Sequence, residues 1–164
     1  MVIRTAKVLL VLLIGLFSLL VGLDNIVDYG TNYAFVQHVM SMDTVFPTST
    51  LTWRAITSPA AHHIAYALII AAELLAGLVC IIGARRLWLA RASAAPRFNA
   101  AKGTAVAGLT LGFAIWFFGF LVIGGEWFQM WQSATWNGQQ AAFRFIGCIG
   151  IVLLFLAQKD DELA

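Results

Sequence analysis

The chain has 164 residues, 61% hydrophobic and 11% charged, against roughly 25% charged in an ordinary soluble domain. That balance excludes the soluble globular class, and a net charge of +2 is too small and too divided to argue for nucleic acid as a partner. The length supports one membrane domain over residues 1–164.

The first apolar run, residues 5–27, contains VLLVLLIGLFSLLVGL and is long enough for the ~20 helical residues that cross a bilayer. Arg4 and Lys7 ahead of it resemble the start of a signal peptide. The chain then reads LDNIVDYG, with no small-residue cleavage site, so a retained signal-anchor helix is predicted. Asp24 lies near the far end of this span, and Asp28 one helical turn beyond it.

The connection that follows, DYGTNYAFVQHVMSMDTVFPTSTLTWRAITSPAAHH, is long for a helix–helix link, and such links are often functional or separately packed. Short helices at the membrane surface are expected here, with Phe35, Phe46 and Trp53 as anchors. His38, Met40 and Met42 form an H-x-M-x-M cluster, to which Met130 of a later loop can be added. An imidazole with thioethers suits Cu(I). Alternating helix positions do not share a face, so a copper site requires this segment to be extended. The competing reading is ordinary packing, since Met fills gaps. His62 and His63 open the second span, and a bis-His haem would need His38 as its other ligand. Interfacial hydrogen bonding is the plainer role. No cofactor is predicted, with copper and haem as the alternatives.

The second span, residues 62–84, carries Glu73 about eleven residues in, near the bilayer centre. An intramembrane ionisable residue is by default a functional-site hypothesis. Removed from water, the Glu73 carboxyl is expected to be neutral unless a cation approaches. Ser18 and Cys148 fall at comparable depth. The two readings are a proton relay and a neutral carboxyl hydrogen-bonded inside the protein.

After RRLWLARASAAPRFNAAK comes the third span, residues 102–123, whose Gly108 and Gly112 make a GxxxG pair. With Ala72–Ala76 and Gly15–Gly22 it is read as a small-residue seam between helices of one chain rather than a dimer face. Cys80 and Cys148 lie in apolar runs and are read as packing residues. The next loop, GGEWFQMWQSATWNG, spaces Trp127 and Trp131 four apart, as on one face of a helical turn. With Trp53 and Trp136 they are the expected interface anchors. The fourth span, residues 139–157, brings in Arg144, and the tail QKDDELA is acidic and expected to fray.

Only helices or closed barrels satisfy their backbone groups in lipid. These four runs are too long and continuous for barrel strands of about 10 residues. The predicted fold is an all-α bundle of four transmembrane helices with short interfacial helices in two loops. Lys and Arg crowd the N-terminus and the 2–3 connection, so the positive-inside rule puts both termini in the cytoplasm. Asp24 and Arg144 come out at nearly the same depth and are the expected interhelical ion pair. Asp28 and Glu126 are alternative acceptors, and snorkelling of each charge to water is the competing reading.

HVMSMDT, WRAI, the lone Glu73 of span two and GGEWFQMWQSATWNGQQAAFRF together resemble a bacterial family of predicted small integral membrane proteins, domain-of-unknown-function family 2165. The resemblance covers nearly the whole chain. It implies a four-span inner-membrane protein and carries over no catalytic residue. No nucleophile–base set or phosphate loop is legible, which favours a non-enzymatic role. The leading expectation is an accessory or scaffold subunit of a larger membrane assembly or homo-oligomer, in contact with the lipid bilayer. The alternatives are a transporter or binder of a small ligand, proton or cation through a pocket lined by Asp24, Asp28, Glu73, Glu126 and Arg144, and a copper or redox protein.

Overall fold

A computed structural model describes residues 1–162. Its order is α1 (Val2–Val27), α2 (Tyr29–Ser41), α3 (Pro59–Ala90), α4 (Ala95–Ala100), α5 (Gly103–Ala114) and α6 (Gln139–Ala157). α5 runs on without a break into a π-helix, Ile115–Trp127. Four helical stretches are long and apolar enough to cross a membrane: α1, α3, α4 through the π-helix, and α6. The protein is an all-helical four-span membrane protein, as its apolar runs predict. One end of the bundle holds the N-terminus, the segment through residue 162 and the α3–α4 turn. The other holds α2 and the two long loops.

Each helix buries one stripe. On α1 the buried residues are Arg4, Lys7, Val8, Val11, Gly15, Ser18, Gly22 and Asn25, the three-and-four spacing that keeps side chains on one helical face. On α6 the stripe is Ala142, Ile146, Ile149, Val152 and Leu156. Pro59 opens α3 at its first turn, where a missing N–H does no harm. With 32 residues, α3 extends about 48 Å at 1.5 Å per residue. That exceeds a hydrocarbon core of about 30 Å, so α3 projects beyond it and offers α2 a wall to pack on.

Between helices in lipid there is no hydrophobic drive, so close backbone approach must hold the bundle. A Cβ on Gly77 of α3 would lie 2.7 Å from Leu19 Cγ and 2.8 Å from the Gly15 carbonyl of α1. Further along α3, a Cβ on Gly83 would lie 2.6 Å from the Ala105 backbone of α5, and one on Gly108 only 2.7 Å from the Cys80 nitrogen. The Gly15–Gly22 and Gly108 seams thus join helices of the same chain, whereas Ala72 lines a groove. Gly112 meets Ile149 of α6 at an ordinary 3.5 Å.

The terminal end is closed by an ionic clasp. Lys7 of α1 and Lys102, just before α5, both reach Asp160 Oδ2 at 2.6 Å. Both ammonium groups also donate to the Gln158 carbonyl, at 2.8 and 2.6 Å. Arg4 lies over the Phe98 ring and donates to the carbonyls of Ser93 and Asp161. Asn99 and Asp160 exchange two hydrogen bonds, and Glu162 accepts from the Ala95 nitrogen that starts α4. The tail is therefore packed through residue 162 rather than frayed, because two buried lysines need its carboxylate. Its last two residues, 163 and 164, lie outside the described residues. Burial works to raise the Asp160 carboxyl, but hydrogen bonds and charge from Lys102 and Lys7 outweigh it and hold the group below its usual 3.8.

Candidate functional site

Glu73 lies near the middle of α3 on its buried face, 2% exposed. The facing residue on α1 is Asn25, which continues the buried stripe through Ser18 and Gly22. Asn25 Nδ2 donates to Glu73 Oε2 at 2.8 Å. Asn32 of α2 donates in turn to Asn25 Oδ1 at 2.7 Å, and the Tyr66 hydroxyl donates to the Asn25 backbone carbonyl at 3.1 Å. Two amides, a phenol and a carboxyl from three helices thus form one chain. Among the described residues no Lys, Arg or His makes an ion pair with Glu73.

This chain borders a cavity of about 250 Å³. Glu73, Asn25, Asn32 and Tyr66 form its polar side; Trp116 and Phe145 face them from the π-helix and α6. Gly138 and Phe35 line it at the loop end. Gly138 allows that close wall: a Cβ there would lie 3.0 Å from the Phe35 ring. The arrangement can accept hydrogen bonds from a small ligand, hold a cation, or hold a proton at Glu73.

Of the five charges expected to share one polar cluster, only Glu73 is inside. Asp24, Asp28, Glu126 and Arg144 are all exposed, and among the described residues no ion pair joins Asp24 to Arg144. The reason is rotational. Arg144 falls two residues from both Ala142 and Ile146 of the buried stripe, on the opposite side of α6. Asp24 precedes the inward Asn25 by one residue, about 100° around the helix. Two side chains that both point outward from their helices do not meet inside the bundle.

The expected tryptophan anchors divide as well. Trp53, Trp127 and Trp131 are exposed, whereas Trp136 stacks on the His38 ring at 4.4 Å and is half-buried. Trp127 and Trp131 do not share a helical turn. The π-helix ends at Trp127, Gln129 adopts a left-handed conformation, and a separate short turn spans Met130–Gln132. Trp127 meets Trp53 and the Arg54 guanidinium instead, and Trp131 meets Phe46.

His38 and Met40 sit on α2, which is helical through Ser41, and Met42 caps it in a left-handed conformation, so the extended segment that arrangement needs is absent. Met42 and Met130 are buried in one apolar cluster with Met40 beside it, and His38 Nδ1 meets Asp43 at 2.7 Å. His62 Nε2 donates to the Ile56 carbonyl, and His63 meets the Tyr29 hydroxyl at 2.8 Å and stacks on Tyr33. Asn25, Asn32 and Tyr66 escaped sequence reasoning because amides and phenols raise no alarm in a charge search. The signal that finds Asn25 is its register with Gly15, Ser18 and Gly22.

The chain matches the family described as predicted small integral membrane protein (DUF2165) over residues 3–159, and it belongs to that family. No curated protein and no solved structure matches it.

Proposed function

We propose that this member of the family binds a small cationic ligand at Glu73 and exchanges it for a proton. The observation that carries this reading is a buried carboxyl with an amide partner, without a cation, on the wall of a cavity. One carboxylate cannot hold a proton and a cation together, so binding one releases the other. Asn25 orients the carboxyl, and Asn32 supports Asn25 from α2 on the same cavity wall. Eight of the ten Lys and Arg residues belong to the terminal end, which supports a cytoplasmic position for that end in a bacterial inner membrane. The Glu73 cavity then opens outward.

The test is direct binding of ammonium and short alkylammonium ions to detergent-purified protein, followed by calorimetry. At least one ion should bind saturably near one per chain, with release of a proton into weak buffer. Glu73→Gln should abolish both signals while the protein stays monodisperse. An equal heat and proton release in Glu73→Gln would overturn the proposal.

A second reading, an accessory subunit, draws on the loop-end rim. Trp53 and Trp127 meet Arg54 and are 70% and 44% exposed, Trp131 beside Phe46 is 46% exposed, and Trp and Arg are enriched at protein interfaces. It predicts a stoichiometric partner by native mass spectrometry that is lost in a Trp53→Ala/Trp127→Ala double variant. A partner retained by that variant would remove the reading.

A further inference from the structure

A second cavity lies beside the first. It measures about 560 Å³ and is a groove between α3 and the π-helix, roofed by α2. Its walls are apolar throughout, including Ala72, Ile115, Phe118 and Gly119. Leu68 and Phe118 on its two sides are 65% and 58% exposed. Both belong to membrane-spanning stretches, so the groove opens to lipid rather than to water.

The two cavities are neighbours. Phe35, Val36, Ile69 and Phe120 line both. A polar chamber with one uncompensated carboxyl therefore borders a lipid-facing apolar slot, with four apolar side chains lining both. The irregular helix contributes to the slot: a Cβ at Gly119 would meet nothing within 4 Å. π-helical turns are uncommon and are frequently found at functional sites.

We propose that the two cavities hold one ligand, an amphiphilic amine with its ammonium head at Glu73 and its hydrocarbon chain in the groove, entering sideways from the bilayer. This rests on the Glu73 reading and adds to it the chemical class of the ligand. The head follows from the unpaired carboxyl and its amide neighbours, which offer oxygen acceptors to N–H donors. The tail follows from the groove's uniformly apolar wall and its opening at membrane depth. Hydrocarbon gains little by leaving lipid for a protein slot, because lipid is as apolar as the slot. The head must therefore supply the selectivity, and the chain fixes the route.

The test uses dodecylamine carrying a photoreactive diazirine at the far end of its chain, added to purified protein in lipid nanodiscs. After irradiation, the label should map to peptides covering residues 65–72 and 114–124. Glu73→Gln should reduce that labelling at least tenfold, and a dodecanoic acid probe with the same diazirine should label less than a tenth as well. Gly119→Leu places a side chain in open space, so it should fold normally. It should cut labelling severalfold yet leave binding of butylamine at Glu73 intact. Two results would overturn the shared-ligand proposal and leave the Glu73 reading standing: a label landing elsewhere while amine binding still depends on Glu73, or groove labelling by the dodecanoic acid probe equal to that by the amine. Alkylamine binding indifferent to Glu73→Gln would overturn both.

Discussion

Two buried carboxyls stand at different levels of this bundle, Asp160 in the clasp at its terminal end and Glu73 within α3 on the loop-end side, and their surroundings are opposite. Asp160 is 7% exposed and receives two ammonium groups at 2.6 Å. Glu73 is 2% exposed and receives one amide. The clasp around Asp160 satisfies its charges with one another and with nearby carbonyls, so nothing further is needed there. The Glu73 chain leaves a carboxyl without a counter-charge and a cavity beside it. A buried charge is tolerated when paired and hydrogen-bonded; one kept unpaired in lipid is by default a site for something that arrives. The contrast separates a carboxyl whose charge is met within the fold from one whose charge is not.

Breaking the clasp should have the largest effect. Asp160→Asn leaves Lys7 and Lys102 buried beside each other without a carboxylate. Removing one partner of a buried pair costs about 3–5 kcal/mol. Denaturant titration in detergent should show that loss, and a change below about 1 kcal/mol would mean that the clasp is dispensable, like an exposed ion pair. The clasp should also open in acid. Asp160 sits below its usual 3.8 in the folded protein, so its contribution is complete above that value and disappears as pH falls through the lower folded value. Unfolding midpoints of the native protein should therefore fall below about pH 4, while Asp160→Asn should lose this component of the pH dependence.

The other end should respond more weakly in stability and more strongly in binding. Asn25→Ala removes the hydrogen bond to Glu73 and the acceptor for Asn32, leaving a buried carboxyl unsatisfied. A loss of about 1–3 kcal/mol is expected. Glu73→Gln keeps the shape and retains an oxygen acceptor for Asn25, so its stability change should stay within about 1 kcal/mol while alkylammonium binding disappears. If Glu73→Gln destabilised as much as Asp160→Asn, the two ends would be alike and both structural.

How much of this was legible follows from the physics of each feature. The four spans announce themselves as long uncharged runs, and the fourth begins and ends at the predicted Gln139 and Ala157. Glu73 stands out because it is the one acid deep in an apolar run. The clasp was hidden: Lys7 and Asp160 are 153 positions apart, and Arg4 and Lys7 read as orientation signals although they share a face with Val8 and Val11. The lipid-facing groove depends on a π-helix, and no periodicity in IWFFGFLVIGGEW distinguishes it from an α-helix. Burial along α1 and α6 follows rotation about each helix axis, which depth alone does not encode.

The smallest effect tests that last point. Asp24 and Arg144 are both exposed, and the structure gives them no ion pair. Asp24→Asn and Arg144→Gln should each shift stability by no more than about 0.5 kcal/mol, the usual range for surface changes. The double variant should equal their sum. A double-mutant cycle isolates pairwise coupling, and residues in contact show about 0.5–3 kcal/mol of it. Coupling in that range would mean that one helix turns to bring Arg144 inward. A guanidinium inside the bundle would then be a rival counter-ion for Glu73, and the carboxyl's emptiness would be conditional. Additivity leaves Glu73 without an internal cation and sharpens the difference between the two ends.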